Sequence, residues 1–466
     1  MRVGRADLNV MLHAARMRMN GTVPSRLVSR AHAAFVPAIF ILAVAAYILI
    51  YGWLISPRSP VTSDGLSYFV YLPAWVIYQD PSLEDVANHR FGGGFPSYSG
   101  ILRWPQTGRW INPHPMGVAV MLLPFYLVGH VVTLVKGYPV DGFSLFYRHA
   151  AGLGGVCYLT AGIWLLKRLL DRHWSRGVVA ATLVSITFGT NLFHYGTFDA
   201  LWSHVYSFAL FAALMNLVEA WNERPTVGRS ITAGAIIGLI FLVRHTNLPF
   251  SILLLLLYGA GTSQPLAART RWLGSQGKPL AIIAVSALLV ALPQFMSYWS
   301  ATGRVMLNPY ARLMEVQGFE MFRFLHPHFV GVLVGLPKGL FFWSPVLFAS
   351  VAGLFLLRGR PRDFLLPAVV YLPLNAWVIA SWFDWQAGGS FGHRSFTESL
   401  AVMALPMAAA YAWAGARPKV AFVVGVIGTA AVALSVLQMV QYWLGILPYS
   451  DITWAQYRAL FLQFRR

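Results

Sequence analysis

Long apolar runs follow one another through this chain, most of them close to the ~20 residues needed to cross the hydrocarbon core of a bilayer. Within hydrocarbon every backbone N–H and C=O must be satisfied internally, so such a chain folds as a bundle of helices. The composition agrees. Apolar residues make up 57% of the 466 and charged residues 11%, where a soluble domain carries about 25% charged. The 17 Trp, 20 Tyr and 31 Phe gather at the ends of the runs, as an interfacial belt does.

In order, the runs predict spans near 33–55, 146–168, 177–197, 200–220, 230–244, 247–262, 279–299, 338–357, 364–383, 396–414 and 419–442, an all-α polytopic membrane protein of roughly eleven helices. Arg244 and His245 interrupt the 230–262 stretch, so two of these spans are short. The run 115–135 is apolar as well, but Pro115 and Pro124 break it, and it reads as a juxtamembrane or re-entrant helix. The basic loops then alternate consistently. The leader 1–32, KRLLDRHWSR (167–176), Arg224/Arg229, Arg269/Arg271/Lys278, RGRPR (358–362) and Arg417/Lys419 fall on one side, with 20 Lys and Arg against 5 acids. The other side holds 15 against 11. The positive-inside rule places the first set in the cytoplasm. The expected organisation is therefore a basic cytoplasmic leader (1–32), a transmembrane domain (33–442) with a large first outward loop (56–145), and a short outward tail (443–466).

The net charge of +19 is spread over these loops rather than one face, so it reports orientation and not a nucleic-acid partner. The one cysteine, Cys157, lies inside an apolar run, which leaves no intramolecular disulfide and no Cys-based metal site.

Charge beside hydrocarbon is costly and marks function by default, and the outward side collects it. Asp64, in SDGLSYFVYLP (63–73), directly follows the first span. It reads as a helix cap, as a general base, or as both. In GTNLFHYGTFDALWSHVYSF (189–208), Asp199 stands at a loop-to-helix junction and His204 inside the next span. Five residues on one helix would turn them away from a shared face; each is a cavity candidate, or a cap and a hydrogen-bonded interior histidine. Arg244 and His245 of FLVRHTNLPF (241–250) split two short runs, and a guanidinium fork suits a phosphate. In SWFDWQAGGSFGHRSFTESL (381–400), glycines permit close backbone approach and are followed by His393, Arg394 and Glu398. Arg394 at a helix start is a natural anion ligand. Lys338, in GLPKGLFFWSP (335–345), is a further candidate cation or an interfacial anchor. No P-loop, dinucleotide fingerprint, nucleophile elbow or zinc helix is present, and no DxD pair occurs. Glu84-Asp85 reads as the solvated face of a loop helix. These motifs call for no metal.

The segments SDGLSYFVYL (63–72), INPHPMGVAVMLLPFYLVGH (111–130), FGTNLFHYGTFDALWSHVYSF (188–208), LPKGLFFWSPVL (336–347) and GGSFGHRSF (388–396) carry a resemblance. The chain resembles the GT-C superfamily of integral-membrane glycosyltransferases, in particular a bacterial branch similar to protein O-mannosyltransferases and to the aminoarabinose transferase acting on lipid A. The likeness covers roughly 33–442. It implies that Asp64 matches the catalytic acid of the first outward loop, that 56–135 matches the large first loop, and that Asp199 matches the acid before the fourth span. The chain departs from some branches in having Gly65, not a second acid, after Asp64, and in its short segment after 442.

The resemblance implies an inverting transfer of a sugar from a polyprenyl-phosphate carrier to an envelope acceptor, whether lipid, glycan or protein. The reaction would take place on the outer face of a bacterial inner membrane. Asp64 would be the base. Arg244, Arg394 and Lys338 would hold the donor phosphate, while Asp199, His204, His245, His393 and Glu398 would line the cavity or bind the acceptor. The lipid-linked donor is a substrate, and no cofactor is expected. Two other readings stay open: a transporter or flippase of lipid-linked sugars, which needs no base, and a polysaccharide polymerase or ligase.

Overall fold

The computed structural model describes residues 24–54, 59–305 and 320–464, with isolated positions between 306 and 319. Residues 1–23 of the expected leader, Asp7 included, lie outside the described residues. Among those described, six stretches are helical, long and apolar enough to cross a membrane: His32–Gly52, Gly117–Lys136, Leu145–Leu170, Gly277–Thr302, Arg360–Ser381 and Pro418–Trp443. The protein is an all-α polytopic membrane protein, with one two-residue hairpin as its named sheet.

The first helix, α1 (Pro24–Leu49), ends in a π turn. The loop after it carries short helices α2 (Asp64–Phe69), α3 (Tyr71–Val76) and α4 (Glu84–Phe91). Strands β1 (Leu102–Arg103) and β2 (Trp110–Ile111) then pair antiparallel. Glu84, in the first turn of α4, takes both guanidinium ends of Arg103 at 2.7 and 3.1 Å, and Arg103 lies 4.4 Å over the Trp110 ring.

Helix α5 (Gly117–Lys136) is the apolar run 115–135. It is a continuous 20-residue helix despite Pro124 and meets the length of a full span. Its packing fixes what it does. Helix α6 (Leu145–Leu170) runs antiparallel to α1: Tyr47 Oη sits 3.1 Å from His149 at one end, and His32 meets Asp171 at 2.8 Å at the other. The chain between α1 and α6 therefore leaves and returns at the same end of the bundle. Helix α5 is antiparallel to α6, with Gly129 against Phe146 and Met121 accepting from Tyr158 at 2.8 Å. It adds no net crossing to the alternation. Its outer face is apolar and open, Val135 being 78% exposed, which in water would be an aggregation surface and in lipid is ordinary.

The remaining helices are α7 (Arg176–Phe188), α8 (Leu192–Thr197), α9 (Ser203–Glu223), α10 (Val227–Val243), α11 (Leu248–Leu257), α12 (Leu266–Ser275) and α13 (Gly277–Thr302). After them come α14 (Phe329–Val334), α15 (Leu340–Trp343), α16 (Phe348–Leu354), α17 (Leu365–Ser381), α18 (Leu400–Gly415), α19 (Pro418–Trp443) and α20 (Trp454–Leu460). Three expected spans are broken. The run 177–197 stops at Gly189 and resumes as α8. The run 338–357 is cut at Ser344-Pro345, where Ser344, disfavoured from the α region by the proline after it, turns out of the helix at φ −139. The run 396–414 becomes regular only at Leu400.

Basic residues gather at one end. Arg172 pairs with Glu219 at 2.5 Å, Arg360 with Glu223 at 2.9 Å, and Lys167 with Asp171 at 2.7 Å. Arg269 is buried and donates to the Leu256 carbonyl at 3.0 Å. Helix breaks and irregular loops gather at the other end.

Helices touch backbone to backbone at glycines. A Cβ on Gly155 of α6 would sit 2.2 Å from the Ala200 carbonyl oxygen, just ahead of α9. Gly155→Ala should therefore lower the thermal stability of the purified protein by about 1–3 kcal/mol. Gly177→Ala, with open space around it, should leave the melting temperature within a degree or two of wild type. Thermal unfolding of the two variants side by side checks this.

Candidate functional site

At the end opposite the basic loops, the broken helices leave a cavity of about 370 Å³. Asp64, His114, Arg244, His245, Asp384, His393, Arg394 and Glu398 line it, drawn from four separate parts of the chain.

Asp64 opens α2. The preceding Ser63 is the N-cap; it turns the chain with φ +50 and its side chain makes no cap hydrogen bond. The Asp64 carboxylate faces the cavity, where Arg394 Nη1 donates to Oδ2 at 2.8 Å. Gly65 lies against the segment before α9: a Cβ there would stand 3.3 Å from Leu201 Cβ and 3.4 Å from the Trp202 ring. A side chain at this position would need that segment to give by a few tenths of an ångström. Burial by itself raises the Asp64 pKa, but Arg394, followed by His114, His204 and Arg244, outweighs it and holds the carboxyl below the usual range.

Arg394 comes from the turn after Gly392, whose φ of +58 suits glycine. Its guanidinium stacks 4.6 Å over the Trp202 ring, a contact worth about 0.5–2 kcal/mol. Arg244 closes α10 and reaches the same cavity. Its Nε donates to Thr246 Oγ1 at 3.2 Å and lies 3.7 Å from Glu398 Oε1, while Nη2 donates to Ser395 Oγ at 3.4 Å. Glu398 is held in turn by His204, whose Nδ1 sits 3.2 Å from Oε2. His204 itself is not among the residues lining the cavity. It supports Glu398, which supports Arg244.

His393 donates Nε2–H to the Trp385 carbonyl at 2.9 Å, leaving Nδ1 buried without a partner among the described residues. Burial, with Arg394 adding to it, lowers its pKa to about 3, so the ring is a neutral acceptor. His245 Nε2 and His114 Nδ1 are likewise buried without partners. Asp384, in the loop after α17, faces the cavity too, and its pKa is raised by burial despite Arg394.

Besides His204, two sequence candidates lie outside the cavity lining. Lys338 is buried and absent from the cavity lining. Its Nζ donates to the Ser390 carbonyl and, at 2.8 Å, to the Tyr449 carbonyl. It ties two loops together, and a lone lysine in a Gly-Pro-rich segment carries no signal that distinguishes this from phosphate binding. Asp199 lies in a neighbouring crevice, bonded to His194 at 2.9 Å. His114 and Tyr68 are cavity residues that residue type alone did not single out. The two rings meet edge to face with centroids 5.1 Å apart, and the prolines at 113 and 115 that fix His114 were the readable cue. Among the described residues no group of three or more His, Cys, Asp or Glu is placed to hold a metal ion.

No family model matches the chain, and no curated protein does. Among solved structures it is similar to the archaeal oligosaccharyltransferase AglB from Archaeoglobus fulgidus, in complex with an inhibitory peptide and a dolichol-phosphate. The TM-score is 0.46 and the identity 10%, over 92% of this chain and 58% of that one. The chain thus spans less than two thirds of that protein's length. A similarity this remote leaves function to be argued from the site.

If Lys338 is a tie between loops, Lys338→Met strands the buried Ser390 carbonyl at about 1–3 kcal/mol, while the Tyr449 carbonyl keeps the Ser390 N–H at 3.0 Å. The expected result is a lower melting temperature, with retention of added polyprenyl phosphate, used as a probe, the same as wild type. Thermal unfolding and lipid-binding measurements on the same preparation check both halves.

Proposed function

We propose that this protein is an integral-membrane glycosyltransferase of the GT-C type. It would transfer a sugar with inversion from a polyprenyl-phosphate carrier to an envelope acceptor. One observation carries the reading: a carboxylate and two guanidiniums, Asp64, Arg394 and Arg244, converge on one cavity at the end of the bundle where the helices break. A lipid-phosphate leaving group needs cations already in place where charge develops, and an attacking hydroxyl needs a base. By the positive-inside rule the cavity faces away from the cytoplasm, where nucleotide sugars are absent and a lipid must bring the donor.

In the proposed step the acceptor hydroxyl attacks the anomeric carbon from the face opposite the phosphate. Its proton passes to Asp64 as the new C–O bond forms. The bond from the anomeric carbon to the phosphate oxygen breaks, and polyprenyl phosphate leaves with the electron pair, its charge met by Arg394 and Arg244. The resting Asp64–Arg394 pair gives this order a physical basis. A phosphate that engages Arg394 draws counter-charge from Asp64 and makes the carboxylate a stronger base only when donor is bound. The reaction drawn in this way calls for no cofactor beyond the lipid-linked donor.

Purified protein in lipid, given a panel of polyprenyl-phosphate sugars and crude envelope lipids, should release free polyprenyl phosphate. Asp64→Asn should reduce turnover by about 10²–10⁴-fold, the range for loss of a general base. Equal turnover by wild type and Asp64→Asn, with loss in Asp384→Asn, would move the base to Asp384. No release with any donor would favour a transporter of lipid-linked sugars.

The pH dependence has a defined sign. Asp64 acts ionised and its pKa is depressed, so kcat/KM should hold as pH falls and drop only below the ordinary carboxylate range. Arg394→Gln removes the charge opposing burial, and the acid limb of its residual activity should move to higher pH. A limb that stays in place would separate Arg394 from the base.

A further inference from the structure

A second crevice, of about 340 Å³, shares no lining residue with the first cavity, yet the two are joined. Ser63 of the crevice is the chain neighbour of Asp64 in the cavity, and Trp202 of the crevice carries Arg394 on its ring. The crevice wall presents the rings of Tyr51, Phe198, Trp202 and Tyr442, the hydroxyls of Thr62 and Ser63, and the carboxylate of Asp199. Among the described residues no lysine or arginine lines it.

The carboxylate is held by a fixed relay. Trp443 Nε1–H donates to His194 Nδ1 at 3.0 Å. An indole nitrogen only donates, so Nδ1 is the acceptor and the imidazole proton is on Nε2. That proton is donated to Asp199 Oδ2 at 2.9 Å. His194 is fully buried, stacked on Phe198 at 5.0 Å between centroids. Asp199 Oδ1 has no partner among the described residues. Three residues from α8, the loop ahead of α9 and α19 are thus spent on aiming one carboxylate into an aromatic-walled space, the kind of supporting shell that positions a binding group.

We infer that this crevice binds a neutral saccharide ring, and, on the transferase reading above, that the ring belongs to the acceptor. Aromatic faces pack against the apolar face of a pyranose. The carboxylate accepts from ring hydroxyls, and the Thr62 and Ser63 hydroxyls both donate and accept. The same wall disfavours a phosphate, because it offers a carboxylate and, among the described residues, no cation. The donor phosphate therefore belongs to the Arg394 and Arg244 side. Asp199 binds the sugar, and His194 and Trp443 are positioning residues.

The test uses the full chain in lipid nanodiscs, with saturation-transfer NMR on a panel of methyl glycosides of hexoses and pentoses, and retention of labelled polyprenyl phosphate measured in parallel. At least one glycoside should bind wild type. Asp199→Asn, which keeps the side-chain shape, and Thr62→Val, at an exposed position, should each weaken that glycoside, Asp199→Asn by about tenfold, or ~1.4 kcal/mol. Arg244→Ala should leave the glycoside unchanged while weakening the lipid phosphate. Glycoside binding that is absent, or unchanged in both crevice variants, overturns the inference and leaves the transferase reading intact if the lipid phosphate is still retained. Capture of tetramethylammonium in place of any glycoside overturns it in favour of an ammonium site. Glycoside binding that depends on Asp199, with no retention of lipid phosphate, overturns the acceptor role along with the transferase reading.

Discussion

Helices that break at membrane depth expose carbonyls that water cannot reach, and in this protein those carbonyls have to be answered by side chains. Ser435 of α19 donates to the Gly189 carbonyl at 3.0 Å, where the seventh helix stops. Trp343 Nε1 donates to Leu336 at 2.9 Å, Asn191 to His393 at 3.3 Å, and Lys338 to Ser390 and Tyr449. The Asn191 and Lys338 bonds cross between separate breaks. The loops that carry Arg394, His393 and Asp199 are therefore fixed by the same interactions that make broken helices tolerable. The site is a by-product of satisfying the backbone.

Electrostatics then sorts the cavity. Arg394 and Arg244 each face a carboxylate, Asp64 in one case and Glu398 in the other, but the environments differ. Glu398 is about 1% exposed and backed by His204, so it works as a fixed counter-charge. The Asp64 side chain is 26% exposed and can meet a ligand. Asp384 sits nearby with its pKa moved the other way. Two carboxyls in one cavity pushed in opposite directions are a usual mark of divided acid and base duties.

Much of this was legible in the chain. Asp64, Arg244, Arg394, His245, His393 and Glu398 all reach one cavity, because each stood where charge interrupts an apolar run and so had to face something other than lipid. What could not be read was partition. Asp199 and Lys338 met the same criterion, yet one lies in a separate crevice and the other inside a loop junction; which gap a charge fills depends on packing between distant segments. The breaks at Gly189 and Ser344-Pro345 were missed because hydropathy averages over them. His194, bonded at both ring nitrogens, carried no local signal, since its partner Trp443 lies 249 positions away.

Trp202 lies between two compartments: it lines the crevice with Asp199, and its ring carries the guanidinium that grips Asp64. A contact that reaches from one space into the other links them thermodynamically. Any free energy with which an occupant of one shifts the Trp202–Arg394 stack must reappear, equal in size and sign, in the affinity of the other. Whatever the order of arrival, the two occupants act on each other as mutual effectors, and a molecule that fills only one space carries half of a reciprocal signal.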